Sequence, residues 1–380
     1  MTHDIFSYLR MMNEKGGSDL YLTVGVPPTL RVDHKTISLD NRAMRSGDLL
    51  DIMTKILGPK QLQMFEEHRE LNTSLDTTDA GRFRINVMRQ RQLPALVIRR
   101  ISSAIPNFAE LKLPSVLEKL AMTKRGLILV TGMTGSGKST TLASMIDYRN
   151  KNEQGHIVTI EDPIEYFHDH QRSIVSQREV GVDTESYAIA LKNVLRQRPD
   201  VILVGEIRDV EVMEQALQVA ETGHLCLSTL HTNNTYQAIE RIINMFPEDY
   251  HDQVRLNLAM NLRAIISQRL VPTKNGGMHL VPEVLINEGL VKDLINDGKI
   301  TKIREVIEQN KTQGMCTFDQ SLLQLYTQGI ITEETAIMYA DMPGDLKIKL
   351  KQVRPQHSQS DFSKIDVGNL TLSDFEKKII

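Results

Sequence analysis

The chain has 380 residues, 41% of them apolar and 24% charged, and a net charge of −3; this allows about two domains with a sizeable core and gives no basic field for nucleic acid. Its two cysteines, Cys226 and Cys316, build neither a disulfide framework nor a metal-ligand cluster and fit a reducing cytosol. No apolar run approaches the ~20 residues of a membrane span, and Met1-Thr2-His3-Asp4-Ile5 lacks the regions of a signal peptide, so a cytoplasmic protein that meets a membrane only through a partner is expected.

Taken in order, Ile5, Leu9 and Met12 recur at helical spacing over 4–15. Residues 18–24 and 29–32 alternate as strands around Gly25-Val26-Pro27-Pro28. A helix is predicted over 45–67, then strands over 69–75, 81–88 and 95–100. In Arg82-Phe83-Arg84-Ile85-Asn86-Val87 the apolar residues share one face, and Arg82, Arg84 and Asn86 the other. These elements make a small α+β domain over 1–101. A polar, proline-broken linker, 102–112, follows. From 113 the pattern alternates helices with short, fully apolar strands at Leu127–Thr131, His156–Ile160, Val201–Val204 and Leu225–Leu230, as in an α/β sheet covered on both faces. Residues 236–340 read as mostly helical, with helices over Asp252–Arg269 and Glu283–Asp297. The second domain ends near 343, and 344–380 reads as a loose polar tail. With 17 methionines and no tryptophan, the core is expected to be aliphatic, and methionine stripes in it are packing.

The apolar run Leu127–Thr131 leads into Gly132-Met133-Thr134-Gly135-Ser136-Gly137-Lys138-Ser139-Thr140 and then a helical segment. Strand, glycine loop and helix together are the context of a phosphate-binding loop. Backbone N–H groups from Gly132 to Thr140 can close around phosphate oxygens, and the helix N-terminus adds positive potential. Lys138 can reach the β- and γ-phosphates, and the Ser139 hydroxyl can sit on Mg²⁺.

Three further segments fit a nucleotide site. Thr159-Ile160-Glu161-Asp162-Pro163-Ile164-Glu165 runs a buried strand into three carboxylates, which could orient water and hold Mg²⁺ through its water shell; alone, it fits a solvated acidic turn equally well. Val201-Ile202-Leu203-Val204-Gly205-Glu206 is a Walker-B-type strand, with Glu206 at its tip facing the magnesium. Gly223-His224 to His231-Thr232 brackets a strand with two histidines, open to roles as phosphate sensors or as structural histidines. The strand arginines Arg82, Arg84 and Arg99 are, on pattern alone, better explained as a solvated basic face.

The four boxes in this order resemble the ATPases of type II secretion and type IV pili. Gly17-Ser18-Asp19-Leu20-Tyr21-Leu22 and Gly81-Arg82-Phe83-Arg84-Ile85-Asn86 resemble the PAS-like N-terminal domain of the PilT/PilU retraction family. The resemblance implies a RecA-like ATPase domain after that domain and a homohexamer with ATP between N- and C-terminal domains. It also implies Glu165 as the catalytic glutamate, Glu206 as the Walker B acid, and His231 at the phosphate-facing position. Arg84 and Arg99 become the arginines that reach the γ-phosphate, with Arg82 a neighbouring candidate. Leu290-Val291-Lys292-Asp293-Leu294-Ile295 departs from the Ala-Ile-Arg-Asn-Leu-Ile of PilT proteins. With the long tail, this resembles the PilU branch, which implies an accessory to a PilT-type motor at the inner-membrane pilus platform. A nucleotide-binding scaffold and a nucleic-acid motor are the competing classes; the intact acids disfavour the first, and the charge and 5% aromatics the second.

Overall fold

The computed structural model describes residues 3–32, 35–101, 104–310 and 314–353. Ile5, Leu9 and Met12 lie on the buried side of the helix Ile5–Glu14, which Asp4 caps by accepting the Ser7 N–H. Strands β1 (Asp19–Thr23), β2 (Thr29–Val32), β3 (Lys35–Ser38), β4 (Glu70–Thr77), β5 (Gly81–Gln90) and β6 (Leu93–Ile101) form an antiparallel sheet in the order β3-β2-β1-β6-β5-β4. The side chains of Leu20, Leu30, Phe83, Ile85 and Ile98 on one face make a core with the helices. The helix predicted over 45–67 is two helices, Ser46–Ile56 and Pro59–His68. Pro59 has no N–H to continue the first and suits the first turn of the second.

A second sheet runs β13-β12-β7-β11-β10-β8-β9, from β7 (Gly126–Gly132), β8 (Gly155–Glu161), β9 (Ser173–Glu179), β10 (Val201–Val204), β11 (Leu225–Leu230), β12 (Leu262–Pro272) and β13 (Met278–Ile286). All neighbours are parallel except β12 and β13. Every residue of β7, β10 and β11 is buried, as expected where helices cover both faces. Each Leu, Ile or Val enclosed this way contributes roughly 1.5–3 kcal/mol of transfer free energy. The parallel register brings the carboxyl ends of β7, β8, β10 and β11 to one edge, the usual ligand side of such sheets.

Three expectations are corrected. The helix predicted over Asp252–Arg269 stops at Asn261, and Leu262–Pro272 is β12. Its apolar run Leu262, Ala264, Ile265 and Ile266 is buried beside β7. The helix predicted over Glu283–Asp297 starts only at Leu290, because Glu283–Ile286 pairs with β12. The tail expected from 344 opens instead with a helix, Pro343–Gln352. Leu346 and Leu350 of this helix are buried against Val271, Val281 and Phe318. The later tail, 354–380, lies outside the described residues.

Candidate functional site

The glycine loop leaves β7 and enters the helix Lys138–Asn152. Gly132 has φ 145°, and a Cβ there would fall 2.5 Å from the Gln268 carbonyl and from Ser136 Oγ. Only glycine fits that turn. Thr134, Gly135, Gly137, Lys138, Ser139 and Thr140 line a cavity of about 400 Å³. Gly132 and Ser136 do not line this cavity. Lys138 is buried, and its Nζ donates to the Gly132 and Met133 carbonyls at 3.0 Å each. Burial lowers its pKa, against the pull of Glu206 and Glu165.

Glu165 lines the same cavity with Glu206 and His231. Glu161, at the end of β8, is almost fully enclosed. Burial pushes its carboxyl up to about 7, offset by Thr159, Gln177 and the Glu165 N–H. Thr159 Oγ1 donates to it at 2.7 Å, Gln177 Nε2 at 3.4 Å and the Glu165 N–H at 3.5 Å. At the end of β10, a Cβ on Gly205 would lie 2.9 Å from the Tyr187 hydroxyl and 3.2 Å from Glu161 Cα. That glycine therefore lets two strand ends and a tyrosine meet. The next backbone positions are tied to β11, since Thr229 Oγ1 donates to the Gly205 carbonyl at 2.7 Å and the Ile207 N–H to Thr229 O at 3.0 Å.

Glu206 carries two partners. Arg208 Nε donates to Oε2 at 2.8 Å, and His231 Nε2 lies 3.2 Å from Oε1. Arg208 also reaches Asp162 at 3.4 Å. Burial lowers the His231 pKa, with Lys138 adding to the effect and Glu206 opposing it. The ring is therefore neutral near pH 7 and can donate one hydrogen bond. His224, at the other end of β11, bonds to Thr222 and does not line the cavity. Ser139 and Glu206 offer hard oxygen donors suited to Mg²⁺. Among the described residues no group of three His, Cys, Asp or Glu could hold an ion unaided. A Mg²⁺ here would take phosphate oxygens and water for the rest of its shell.

The arginines lie on the open face of the first sheet. Cross-strand register places Arg31, Asp19, Arg99, Arg84 and Ser74 in one row. Asp19 is buried and accepts Arg99 Nε at 2.8 Å, while most of the arginine side chain stays exposed. Arg84 and Arg99 do not line the cavity in this conformation. Arg82 does not either: its Cζ lies 4.4 Å from the Phe167 ring centroid and its Nη2 3.5 Å from Glu179. Sequence reasoning missed Arg208 and Tyr187, which the fold brings to Glu206 and Glu161. The one available signal was Arg208 standing two residues after Glu206 on a strand exit.

A glycine loop, two strand-end carboxylates and a histidine at one edge of a parallel sheet define a P-loop nucleoside triphosphatase. Residues 63–327 match the family model for Type II/IV secretion system proteins. The chain is 51% identical over 344 residues to the type IV pilus ATPase PilU of Pseudomonas aeruginosa, covering 90% of each chain. It is 38% identical over 340 residues to the type IV pilus retraction ATPase PilT of the same organism, covering 90% of this chain and 99% of that one. A crystal structure of the pilus retraction motor PilT with bound ADP superposes with a TM-score of 0.86 at 43% identity, covering 91% of this chain and 99% of that one. The chain belongs to the type II/IV secretion ATPases and, within them, to the pilus retraction motor ATPases. Its reaction is ATP hydrolysis. Among the described residues no helix is long and apolar enough to cross a membrane.

Proposed function

We propose that this chain is a Mg²⁺-dependent subunit of a hexameric ring that turns ATP hydrolysis into domain rotation and helps to retract type IV pili at the cytoplasmic face of the inner membrane. Its partners would be a PilT-type motor and the membrane platform of the pilus. The accessory role rests on the higher identity to PilU than to PilT and on Leu290–Ile295 in place of the PilT motif.

The observation that carries the hydrolytic reading is the convergence of Lys138, Ser139, Glu165, Glu206 and His231 on one cavity. The loop N–H groups and Lys138 bind the phosphates. Ser139 and, through water, Glu206 would hold a Mg²⁺, which would supply charge neutralisation on the phosphates. Glu165, an exposed residue of the cavity lining, takes the proton of the attacking water. Neutral His231 gives its one N–H, on Nε2, to Glu206 and so holds that carboxylate in place beside the γ-phosphate. Arg84 and Arg99 come to the leaving phosphate when the first domain closes, so that charge stabilisation and domain motion are one event. Phosphate release by the purified full chain, wild type against Glu165→Gln, tests this. Loss of turnover with ATP binding retained is expected; wild-type turnover by the variant would overturn it.

A further inference from the structure

Strand β9 places Gln177 and Glu179 two residues apart, on one face, beneath the loop that carries Glu165. Gln177 Nε2 donates to the Tyr166 carbonyl at 2.9 Å, and its Oε1 accepts the His168 N–H at 2.8 Å. Glu179 Oε2 accepts the Ile164 N–H at 3.3 Å. The loop is thus fixed at 164, 166 and 168 by two side chains of one strand, with Glu165 between the fixed points.

The same Glu179 oxygen lies 3.5 Å from Arg82 Nη2, a residue of the other sheet. Arg82 also covers the Phe167 ring at 4.4 Å, and Asp76 comes within 3.5 Å of its Nε. Its side chain is only 12% exposed. In that setting a guanidinium stacked on a ring and facing a carboxylate is strongly directional. Burial raises the Glu179 pKa, while the Ile164 N–H and Arg82 pull it back. Arg82 and its neighbour Arg84 therefore differ in kind: the first is engaged with the acid-box loop, and the second has no hydrogen-bonded partner among the described residues.

We propose that Arg82 is a positioning residue, joining the N-terminal domain to the Glu165 loop through Glu179 and Phe167 so that rotation of that domain sets where Glu165 stands. This rests on Glu165 being the base that activates water. A motor needs such a link, because hydrolysis before the domain has moved would be uncoupled from motion. The link acts through loop geometry and makes no contact with phosphate.

The test is a double-mutant cycle on the full chain, with ATP turnover, KM and binding of a non-hydrolysable ATP analogue as readouts. Arg82→Ala and Glu179→Gln are each expected to lower kcat about tenfold, with KM and analogue affinity within about twofold. The double variant should be no slower than the slower single one. Phe167→Leu, which keeps both charges, should lose a few-fold, and so keeps the test open if Glu179→Gln folds poorly. In a Glu165→Gln background, Arg82→Ala should cost nothing further. Additive losses, unchanged kcat in both single variants, or an Arg82→Ala variant that weakens analogue binding tenfold while Glu179→Gln does not would each overturn the proposal; the last result would make Arg82 a phosphate ligand. Wild-type turnover by Glu165→Gln alone would instead defeat the reading of the base and leave the link without its target.

Discussion

The two sheets hold their functional side chains in opposite ways. In the parallel sheet, the candidate groups follow the ends of buried strands, and several are tied in place by neighbours. Glu206 sits between Arg208 and His231, and Lys138 bonds to two loop carbonyls. In the antiparallel sheet, Arg84 and Arg99 project from the open face, directly opposite each other. Like charges facing across a strand pair are unfavourable; Asp19 offsets them at Arg99, and the Glu179 carboxylate acts on Arg84 from further off. One half of the cleft is preorganised, and the other carries unspent positive charge that an anion can satisfy. Under the proposed function a motor would gain from that division, since the fixed half would bind the nucleotide in any domain position and Arg84 and Arg99 would contribute only on closure.

The first predictions probe the fixed half. Lys138→Ala should abolish turnover, by at least about a thousandfold, because a buried ammonium held among backbone dipoles has no replacement; turnover near wild type in a phosphate-release assay would break the assignment. Glu165→Gln should lose about a thousandfold in kcat, within the span of general-base removal. On the mobile half, Arg84→Ala should lose about a hundredfold. This is less than a lone arginine finger supplies, because Arg99 shares the charge. If Arg84→Ala also raised KM by a similar factor, the arginine would bind the ground state and the division between the halves would fail.

How much of this was legible follows the range of the interactions. The phosphate loop is a local pattern, so its residues could be read directly from Gly132 to Thr140. The acid box, Glu206 and the two histidines are marked by apolar runs that end in polar residues, and the resemblance to the secretion ATPases singles out Glu165 and His231 among them. The strand β12 was misread as helix because Leu262, Ala264, Ile265 and Ile266 fit both periods, and pairing with β7, more than a hundred residues earlier, decides between them. Gln177 and Glu179 could not be singled out, since nothing local in Ser173–Glu179 says that it underlies the acid-box loop. The helix Pro343–Gln352 did leave a trace, with Pro343 at its first turn and Leu346 and Leu350 four apart. Its lysines obscured that trace.

Asp19→Asn sharpens the comparison from the N-terminal side. The carboxylate is buried, accepts Ser18 Oγ at 2.8 Å as well as Arg99 Nε, and so fixes one arginine of an otherwise loose pair. The amide keeps the shape and removes the charge. A loss of about tenfold in kcat with KM within twofold is expected, since orientation and not binding is affected. A loss as large as that of Arg84→Ala would mean that the row of arginines is as preorganised as the phosphate loop.

The smallest effect concerns His231. Its pKa is held below 6.5 by burial and by Lys138. A histidine with a depressed pKa stays neutral until the pH falls below its unperturbed value, so the part of the acid limb that His231 supplies should set in only below pH 6.5 and be a few-fold at most, whereas any titration of Glu161 near 7 is common to wild type and a His231 variant. His231→Gln keeps a donor without titrating. It should remove that acid limb while leaving the plateau within a few-fold of wild type. A fall between pH 8 and 7 that His231→Gln abolishes would mean that Glu206 outweighs burial and the ring is charged. The fixed half of the cleft would then be balanced by a cation it does not now carry, and fewer arginines would be needed from the mobile half.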